Sequence, residues 1–598
     1  MTWTDPSGSY RKCVGSDPNR IPNITNIAAA ETHSNEPPEE VWNAESLGSE
    51  EIDNDEIFIN YNMSGTQWNR KEVDLIALFA YKVALDIANT QEDLEPTSIT
   101  QCTHRTDCLK WKEAINVELK SLKLRNVFGP IIRTPFNVKP VGHKWVFVRK
   151  RNELGEVVRY KARLVAQGFS QRPEIDYEET YSPVVDATTF RFLISLAIRE
   201  NLDLRLMDVV TAYLYGPLDN EIYMRLPDGI ELKDKHASRD QYCIRLNKSL
   251  YGLKQNGRMW YNRLSEYLIR EGYKNDPISS CIFIKKYSNK GFVIIAVYVD
   301  DLNILETSGE ISQTVDCLKA EFEMKDLGKT KFCLGLQLEY VKGGILVHQA
   351  AYTEKVLKRF NMDQAHPLTS PMVVRSLGLD SDPLGPKKDD EEILARFSSC
   401  PTQRHWNGIK HLLRYLQGTK DLGLFYTNHN KDGLVGFADA GYLSDPHTAK
   451  SQTGYVFTHG GTAISWRSMK QTITTTSSNH AELLAIHEAS RECVWLRSMT
   501  QHIRSDCGMD EDKEPTVLYE DNAACIAQLK EGYIKGDRTK HILPKFFSTS
   551  DWQKDGTISV QQVRSSENSA DLFTKSLPAS TLRKLIQQIG MRRLRDLQ

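Results

Sequence analysis

Two adjacent carboxylates, Asp300 and Asp301, close the tetrapeptide Tyr298-Val299-Asp300-Asp301. The apolar run Phe292-Val293-Ile294-Ile295-Ala296-Val297 precedes it and Leu302-Asn303-Ile304-Leu305 follows it. The pattern predicts strand, tight turn and strand, with both charges at the tip. Like charges so close repel, and a divalent cation is the usual means of neutralising them. An ordinary Asp-rich hairpin turn is the alternative. Two-metal phosphoryl transfer needs carboxylates from different strands, because few side chains can hold both ions at once. Asp208, in Leu206-Met207-Asp208-Val209, is placed at another strand end and could supply a third carboxylate. Capping a helix or turn is the more ordinary role for such a residue.

A second acidic set lies toward the C-terminus. Asp439 ends the predicted strand Gly436-Phe437-Ala438, and Glu482 falls in the first turn of a helix after Ser477-Ser478-Asn479-His480. Asp521 ends Val517-Leu518-Tyr519-Glu520, and Asp571 opens a helix in Ser569-Ala570-Asp571-Leu572-Phe573. Strand ends and helix starts can converge, and four carboxylates there would hold two metals for attack of water on a phosphodiester. Taken singly, Asp439 and Asp521 fit turns, while Glu482 and Asp571 fit the acidic preference of helix N-termini.

The elements that must position these groups are readable from periodicity. Trp111, Ile115, Leu119 and Leu122 share one helix face, as do Phe190, Leu193, Ile194 and Ala197, and again Trp260, Leu264, Tyr267 and Leu268. Val146-Phe147-Val148, followed by charged residues and Gly155, reads as a hairpin, and Leu204–Val209 as a short strand. A strand at Leu434–Ala438, a hairpin at Gly460-Gly461, a long helix after His480 and a strand ending at Tyr519 form a second α/β pattern. A shorter helical stripe runs from Val73 to Ile87, and the Pro-, Gly- and Asp-rich stretch from Val374 to Ile393 reads as a linker.

The 598 residues suffice for about three or four domains. The net charge of −2 conceals an asymmetry: Glu31–Glu56 holds ten Asp/Glu and no Lys or Arg, whereas Lys139–Gln171 holds eight Lys/Arg against two Glu. Nucleic acid could bind the second segment and not the first. The 11 cysteines include no Cys-x-x-Cys, which argues against a zinc finger or knuckle and against a disulfide scaffold. Reduced thiols fit a cytoplasmic or nuclear setting. The longest strongly apolar run, near Val293–Val299, is too short to span a bilayer. The polar N-terminus is unlike a signal peptide, so neither membrane nor secretion is expected.

Five stretches, in order, carry a resemblance. They are Arg159-Tyr160-Lys161-Ala162-Arg163-Leu164-Val165-Ala166, Met207-Asp208-Val209 with Thr211-Ala212-Tyr213, Ser249-Leu250-Tyr251-Gly252-Leu253-Lys254-Gln255, Tyr298-Val299-Asp300-Asp301, and Met324-Lys325-Asp326-Leu327-Gly328. Together they resemble the reverse transcriptase of Ty1/copia-type retrotransposons. The order Asp439, Glu482, Asp521, Asp571, with Ser451-Gln452-Thr453-Gly454-Tyr455 and Ala481-Glu482, resembles the ribonuclease H of the same elements. The resemblance implies a multidomain α+β and α/β protein. A right-hand polymerase with palm, fingers and an incomplete thumb would be followed by an RNase H-like α/β domain. The expected divisions are an acidic, largely disordered linker at 1–100, fingers and palm at 105–350, a truncated thumb and connection at 351–430, the nuclease at 431–580 and a basic tail at 581–598.

It also implies roles. Asp208, Asp300 and Asp301 would bind two Mg2+ (or Mn2+) ions, and Asp439, Glu482, Asp521 and Asp571 two more. Lys161 and Arg163 would contact the incoming triphosphate, or else form a solvated basic strand. Tyr213 would exclude a ribose 2′-hydroxyl, be a core aromatic, or both. Gln255 would sit by the nucleotide sugar and template, and Phe332–Gln337 would be the strand holding the primer end. His541 would aid product release, or be a surface histidine. Implied partners are RNA template, primer, RNA/DNA hybrid and deoxynucleoside triphosphates, with retroelement coat and integrase proteins, in a cytoplasmic particle or the nucleus.

The chain departs from the family's pattern in two ways. It has no Asp-Thr-Gly or Asp-Ser-Gly for a protease and no paired His/Cys set for an integrase, as expected of the C-terminal part of a polyprotein or a truncated copy. Further, Asp389-Asp390-Glu391-Glu392-Ile393-Leu394 runs directly into Ala395-Arg396-Phe397-Ser398-Ser399, where the family places several helical turns. This suggests an internal deletion or a gene-model gap in the thumb, which a packed core tolerates poorly. An active RNA-directed DNA polymerase with ribonuclease H activity is one reading. An inactive remnant that at most binds nucleic acid is the other, and a scaffold built on the acidic segment has only composition behind it.

Overall fold

The computed structural model describes residues 95–597 apart from 152–155, 231, 233–237, 288–290, 308–310, 373–402, 430–431, 446–447, 511 and 533–543. The helical stripe at Val73–Ile87, most of the acidic segment, the linker at Val374–Ile393, the junction Leu394-Ala395 and His541 lie outside the described residues.

The first half runs α1 (Cys108–Leu124), β1 (Phe128–Arg133), β2 (His143–Arg151), β3 (Val157–Ala166), α2 (Ala187–Arg199), β4 (Leu202–Val209), β5 (Pro217–Arg225), β6 (Tyr242–Lys248) and α3 (Asn256–Arg270). It continues with β7 (Lys274–Asn275), β8 (Ile282–Lys286), β9 (Phe292–Tyr298), β10 (Asp301–Thr307), α4 (Ile311–Glu321), β11 (Met324–Lys329), β12 (Phe332–Cys333), β13 (Leu336–Val341), β14 (Gly344–His348) and α5 (Ala350–Arg359). Its centre is a six-stranded sheet in the order β11-β4-β10-β9-β8-β7. All its pairings are antiparallel. β9 is buried from Phe292 to Val297, as its unbroken apolar run requires of a strand covered on both faces. The basic segment forms the β2–β3 hairpin, which packs on α1 through Trp111, Phe147 and Leu164.

The second half comprises α6 (Gln403–Gly418), β15 (Leu422–Thr427), β16 (Leu434–Gly441), β17 (Gln452–His459), β18 (Thr462–Lys470), α7 (Ser478–Cys507), β19 (Thr516–Glu520), α8 (Ala523–Glu531), α9 (Ser548–Lys554), β20 (Ile558–Gln562), α10 (Ala579–Gln588) and β21 (Met591–Arg593). Its five-stranded sheet has the order β18-β17-β16-β19-β20. The β16–β17–β18 pairings are antiparallel and the β16–β19–β20 pairings parallel. α7 supplies the long crossover that a switch to parallel strands needs. The second sheet is thus mixed and covered by helices, whereas the central sheet of the first half is wholly antiparallel.

Several sequence expectations change in detail. α2 was expected to bury one face, yet Thr188 through Ala197 are all buried. The helix is sandwiched between the central sheet and the C-terminal sheet, and one apolar core runs through Phe190, Ile194, Met499, Ile503 and Leu483. Asp439 does not end its strand, because β16 continues to Gly441. Asp571 lies in a 3-10 turn, Ser569–Phe573, and not at the start of an α-helix. Phe332–Gln337 is not one strand but a tight hairpin turning at Leu334 and Gly335, both at positive φ. The basic C-terminal segment is no free tail. β21 pairs with β15, and Arg593 forms an ion pair with Asp421 at 2.5 Å.

Candidate active sites

The first centre sits where β10 meets β4. Their antiparallel register sets Asp301 directly opposite Asp208, and Asp301 also pairs with Tyr298 across the hairpin. Val299 and Asp300 are the two-residue turn. Val299 has φ +56°, which costs a β-branched residue on the order of 1–3 kcal/mol and persists only where neighbours impose it. Two hydrogen bonds do so: Trp260 Nε1 donates to the Val299 carbonyl at 2.6 Å, and Val209 N–H donates to the Asp300 carbonyl at 2.8 Å. Trp260 is itself buried on α3, so a helix behind the sheet fixes the tip.

All three carboxylates are half-buried. Lys325, opposite Asp208 on β11, reaches its Oδ2 at 3.4 Å. Burial, then Asp300 and Asp208, push the Asp301 carboxyl up to about 6.

From this tip a row of side chains leads to the basic hairpin. Tyr213 is half-buried and feels the Asp300 charge. Its ring meets Tyr251 edge-on with centroids 5.8 Å apart, and the Arg163 guanidinium lies 4.6 Å from the Tyr251 centroid. Tyr213 is thus both a packing aromatic and a neighbour of the acidic tip. Lys161 lies two residues before Arg163 on the same face of β3, its ammonium disfavoured first by burial and then by Arg163, Lys150 and Arg159. Gln255 differs from expectation. It is fully buried, accepting from Gln171 Nε2 at 3.1 Å and donating to the Asp176 carbonyl at 2.9 Å. Both ends of its amide are engaged, and it braces the segment 171–176.

The second centre is closed. Asp439 in mid-β16, Glu482 near the start of α7 and Asp521 after β19 offer carboxylate oxygens that all lie within 4.8 Å of one another. Ser477 caps α7 by accepting from His480 N–H at 3.2 Å, and Gln471 donates to the Ala481 carbonyl at 2.9 Å, which sets Glu482 over the sheet. Asp571 arrives by a close approach at Gly454, the partner of Asp439. A Cβ on Gly454 would lie 2.6 Å from Thr574 Cγ2, so glycine is what lets the 569–574 turn rest on the sheet. Asn568 pins that turn by donating to the Ala438 carbonyl at 2.8 Å.

Lys575 bridges the cluster, 3.0 Å from Asp439 and 2.6 Å from Asp571, while Thr574 donates to the other Asp439 oxygen. Asp439 is 1% exposed, Glu482 7% and Asp571 8%. Burial, then Asp439 and Asp521, hold Glu482 well above the usual carboxylate range. Sequence reasoning missed two members. Lys575 stands four residues after Asp571, a spacing that could have revealed it. Glu520 is fully buried beside Asp521, its carboxyl raised first by burial and then by Glu482. Nothing in its local sequence distinguishes it from a strand-end residue.

Hard carboxylate oxygens in both centres suit a cation such as Mg2+. No helix among the described residues is long and apolar enough to cross a membrane.

Residues 126–374 match the family described as reverse transcriptase (RNA-dependent DNA polymerase). The chain is 32% identical over 534 residues to the retrovirus-related Pol polyprotein from transposon TNT 1-94 of Nicotiana tabacum, covering 84% of this chain and 39% of that protein. It is 26% identical over 494 residues to the transposon Ty1-GR2 Gag-Pol polyprotein of Saccharomyces cerevisiae, covering 74% of this chain and 27% of that one. Among solved structures, a foamy viral protease-reverse transcriptase in complex with double-stranded DNA aligns with TM-score 0.37 and 13% identity, over 76% of this chain and 70% of that one. Residues 126–374 therefore carry a reverse transcriptase domain, and the chain's relatives are Ty1/copia-type Pol polyproteins of plant and yeast transposons. It spans about two fifths or less of the length of these relatives.

Proposed function

We propose that this chain is an RNA-directed DNA polymerase with a ribonuclease H centre, copying retrotransposon RNA into DNA. In this reading residues 105–350 form fingers and palm, 351–430 a shortened thumb and connection, and 431–580 the nuclease. The observation that carries the reading is the β10–β4 register, which places Asp301 against Asp208 at a hairpin tip held by Trp260. Asp208, Asp300 and Asp301 would hold Mg2+ or Mn2+ at one centre, and Asp439, Glu482, Asp521 and Asp571 at the other. When bound, such ions supply charge neutralisation and activation at the attacking and leaving oxygens.

The chain's own groups do the rest. Lys161 and Arg163 present positive charge to a triphosphate. Tyr213 walls the sugar against a 2′-hydroxyl, and the fixed hairpin tip orients Asp300 and Asp301. At the second centre the buried wall of β16, α7 and β19 limits water around a hybrid strand. Template, primer, hybrid and deoxynucleoside triphosphates are the proposed substrates, and a cytoplasmic particle or the nucleus the proposed setting. The abrupt junction at Leu394-Ala395 favours a second reading, an inactive remnant whose shortened thumb no longer grips a duplex.

Deoxynucleotide incorporation on an RNA template, with Asp300→Asn as control, separates the two. Incorporation well above that control is expected, and incorporation equal to it overturns the polymerase assignment for this copy. Cleavage of an RNA/DNA hybrid, compared with Asp439→Asn, tests the nuclease independently.

A further inference from the structure

Away from both carboxylate centres, a third group of metal-ligating side chains joins the two halves of the molecule. Asp276 lies in the turn between β7 and β8, while His502 and Asp506 lie four residues apart on one face of α7. One ligand atom from each lies within 4.8 Å of the others. The Asp276 side chain is fully buried. Its Oδ1 accepts from Ile278 N–H at 2.9 Å and from Ser279 N–H at 2.6 Å, so the carboxylate is oriented from behind. Its Oδ2 is buried without a hydrogen-bond partner and points at the pair on α7, with His502 Nδ1 at 3.8 Å. That is too long for a hydrogen bond. An oriented, desolvated carboxylate oxygen left unsatisfied is costly unless a cation completes it.

The turn that carries Asp276 is well built. Asp276 N–H donates to the Ile282 carbonyl at 2.9 Å, and Asn275 Nδ2 donates to the Ser280 carbonyl at 2.7 Å. α7 is held beside it by Lys286, whose ammonium donates to the Ser505 carbonyl at 3.1 Å. His502 is about half exposed, so an ion and a water ligand could reach the site from solvent.

We propose that Asp276, His502 and Asp506 form a divalent-cation site, suited to Zn2+, that fastens the palm edge to the long helix of the nuclease unit. One imidazole and two carboxylates are a donor set that zinc accepts, with water as a fourth ligand. A tetrahedral zinc with bonds of ~2.0 Å sets its donors roughly 3.3 Å apart, so the ligand atoms need draw together by at most about 1.5 Å. Loading the site would fix the distance between the polymerase and nuclease centres without touching either.

The test is Zn2+ and Co2+ binding to the full chain, carrying Asp439→Asn and Asp301→Asn to disable both carboxylate centres. Equilibrium dialysis and the visible absorption of bound Co2+ are the readouts. One ion is expected, with affinity lowered about a hundredfold or more by Asp276→Asn and by His502→Gln, since changes outside the ligand shell alone cost about 10–100-fold. Asp276→Asn keeps the oxygen that accepts from Ile278 and Ser279. His502 is on the surface, so that variant keeps the test valid if the first fails to fold. Absence of binding, or unchanged affinity in either variant that folds, overturns the proposal and leaves the trio as a histidine–carboxylate ion pair.

Discussion

The two carboxylate centres solve the same electrostatic problem in opposite ways. Asp208, Asp300 and Asp301 stand half-exposed on a hairpin tip and a strand end, with one solvent-facing lysine, Lys325, at 3.4 Å from Asp208. Asp439, Glu482 and Asp571 are buried, and Lys575 and Thr574 occupy the oxygens of Asp439. Solvent screens the first cluster, so it persists without much counter-charge. The second lies in a poorer dielectric, and the fold supplies a cation of its own. The open centre thus leaves its carboxylates to solvent, and the closed one keeps Asp439 and Asp571 paired through Lys575.

The largest effects should come from the ligands themselves. Asp301→Asn is expected to lower incorporation on an RNA template by about a thousandfold, several kcal/mol of lost charge stabilisation, while hybrid cleavage stays intact. Glu482→Gln should do the reverse. Parallel loss of both activities in either variant would break the separation of the two centres.

A smaller effect is expected behind the open centre. Trp260→Phe removes the bond to the Val299 carbonyl, worth about 1 kcal/mol, and should slow incorporation roughly tenfold with little change in hybrid cleavage. Stability and both rates, measured together, would show whether the tip depends on that indole.

Lys575→Met probes the closed centre. Without divalent metal it should destabilise the protein by about 1 kcal/mol, the lysine being partly exposed and screened. Millimolar Mg2+ should recover more stability in this variant than in the wild type, because the ion meets carboxylates that no longer hold a lysine. Equal Mg2+ shifts in thermal unfolding would contradict the idea that the lysine substitutes for metal.

The smallest expected effect is in pH. The Asp301 carboxyl is raised from 3.8 to about 6, so the folded state favours its protonated form. Its contribution to stability is complete below the lower value and lost as pH rises through the higher one. In chelator, wild type should therefore lose about 1 kcal/mol relative to Asp301→Asn between these pH values, after allowance for solvent. Glu482 is raised further by deeper burial, so the matching loss against Glu482→Gln should come at higher pH. The same window for both variants would erase the contrast.

Much of this was legible in the sequence. Alternating and continuous apolar runs located the central hairpin, the β2–β3 hairpin and the long helix α7, because burial selects those patterns locally. The acidic residues themselves could be picked out as candidates from their expected places at strand ends and helix starts, although Asp439 lies within its strand and Asp571 in a 3-10 turn. The burial of α2 on all sides was not legible, since its second face is covered by a sheet that lies about 270 residues later in the chain. The burial of Gln255 was not legible for the same reason: its partners Gln171 and Asp176 are remote in sequence.

What the sequence by itself determined is the set of candidate carboxylates other than Glu520 and most of the strands and helices that carry them, since residue type and local period depend only on neighbours along the chain. What only the tertiary structure decided is their environment. Asp301 faces Asp208 through strand register, and Lys575 reaches Asp439 because Gly454 lets a distant turn lie flat on the sheet. Asp276 meets His502 because two halves of the molecule share one core. Burial and charge act through space, and contacts across hundreds of residues are set by packing, which no local pattern encodes.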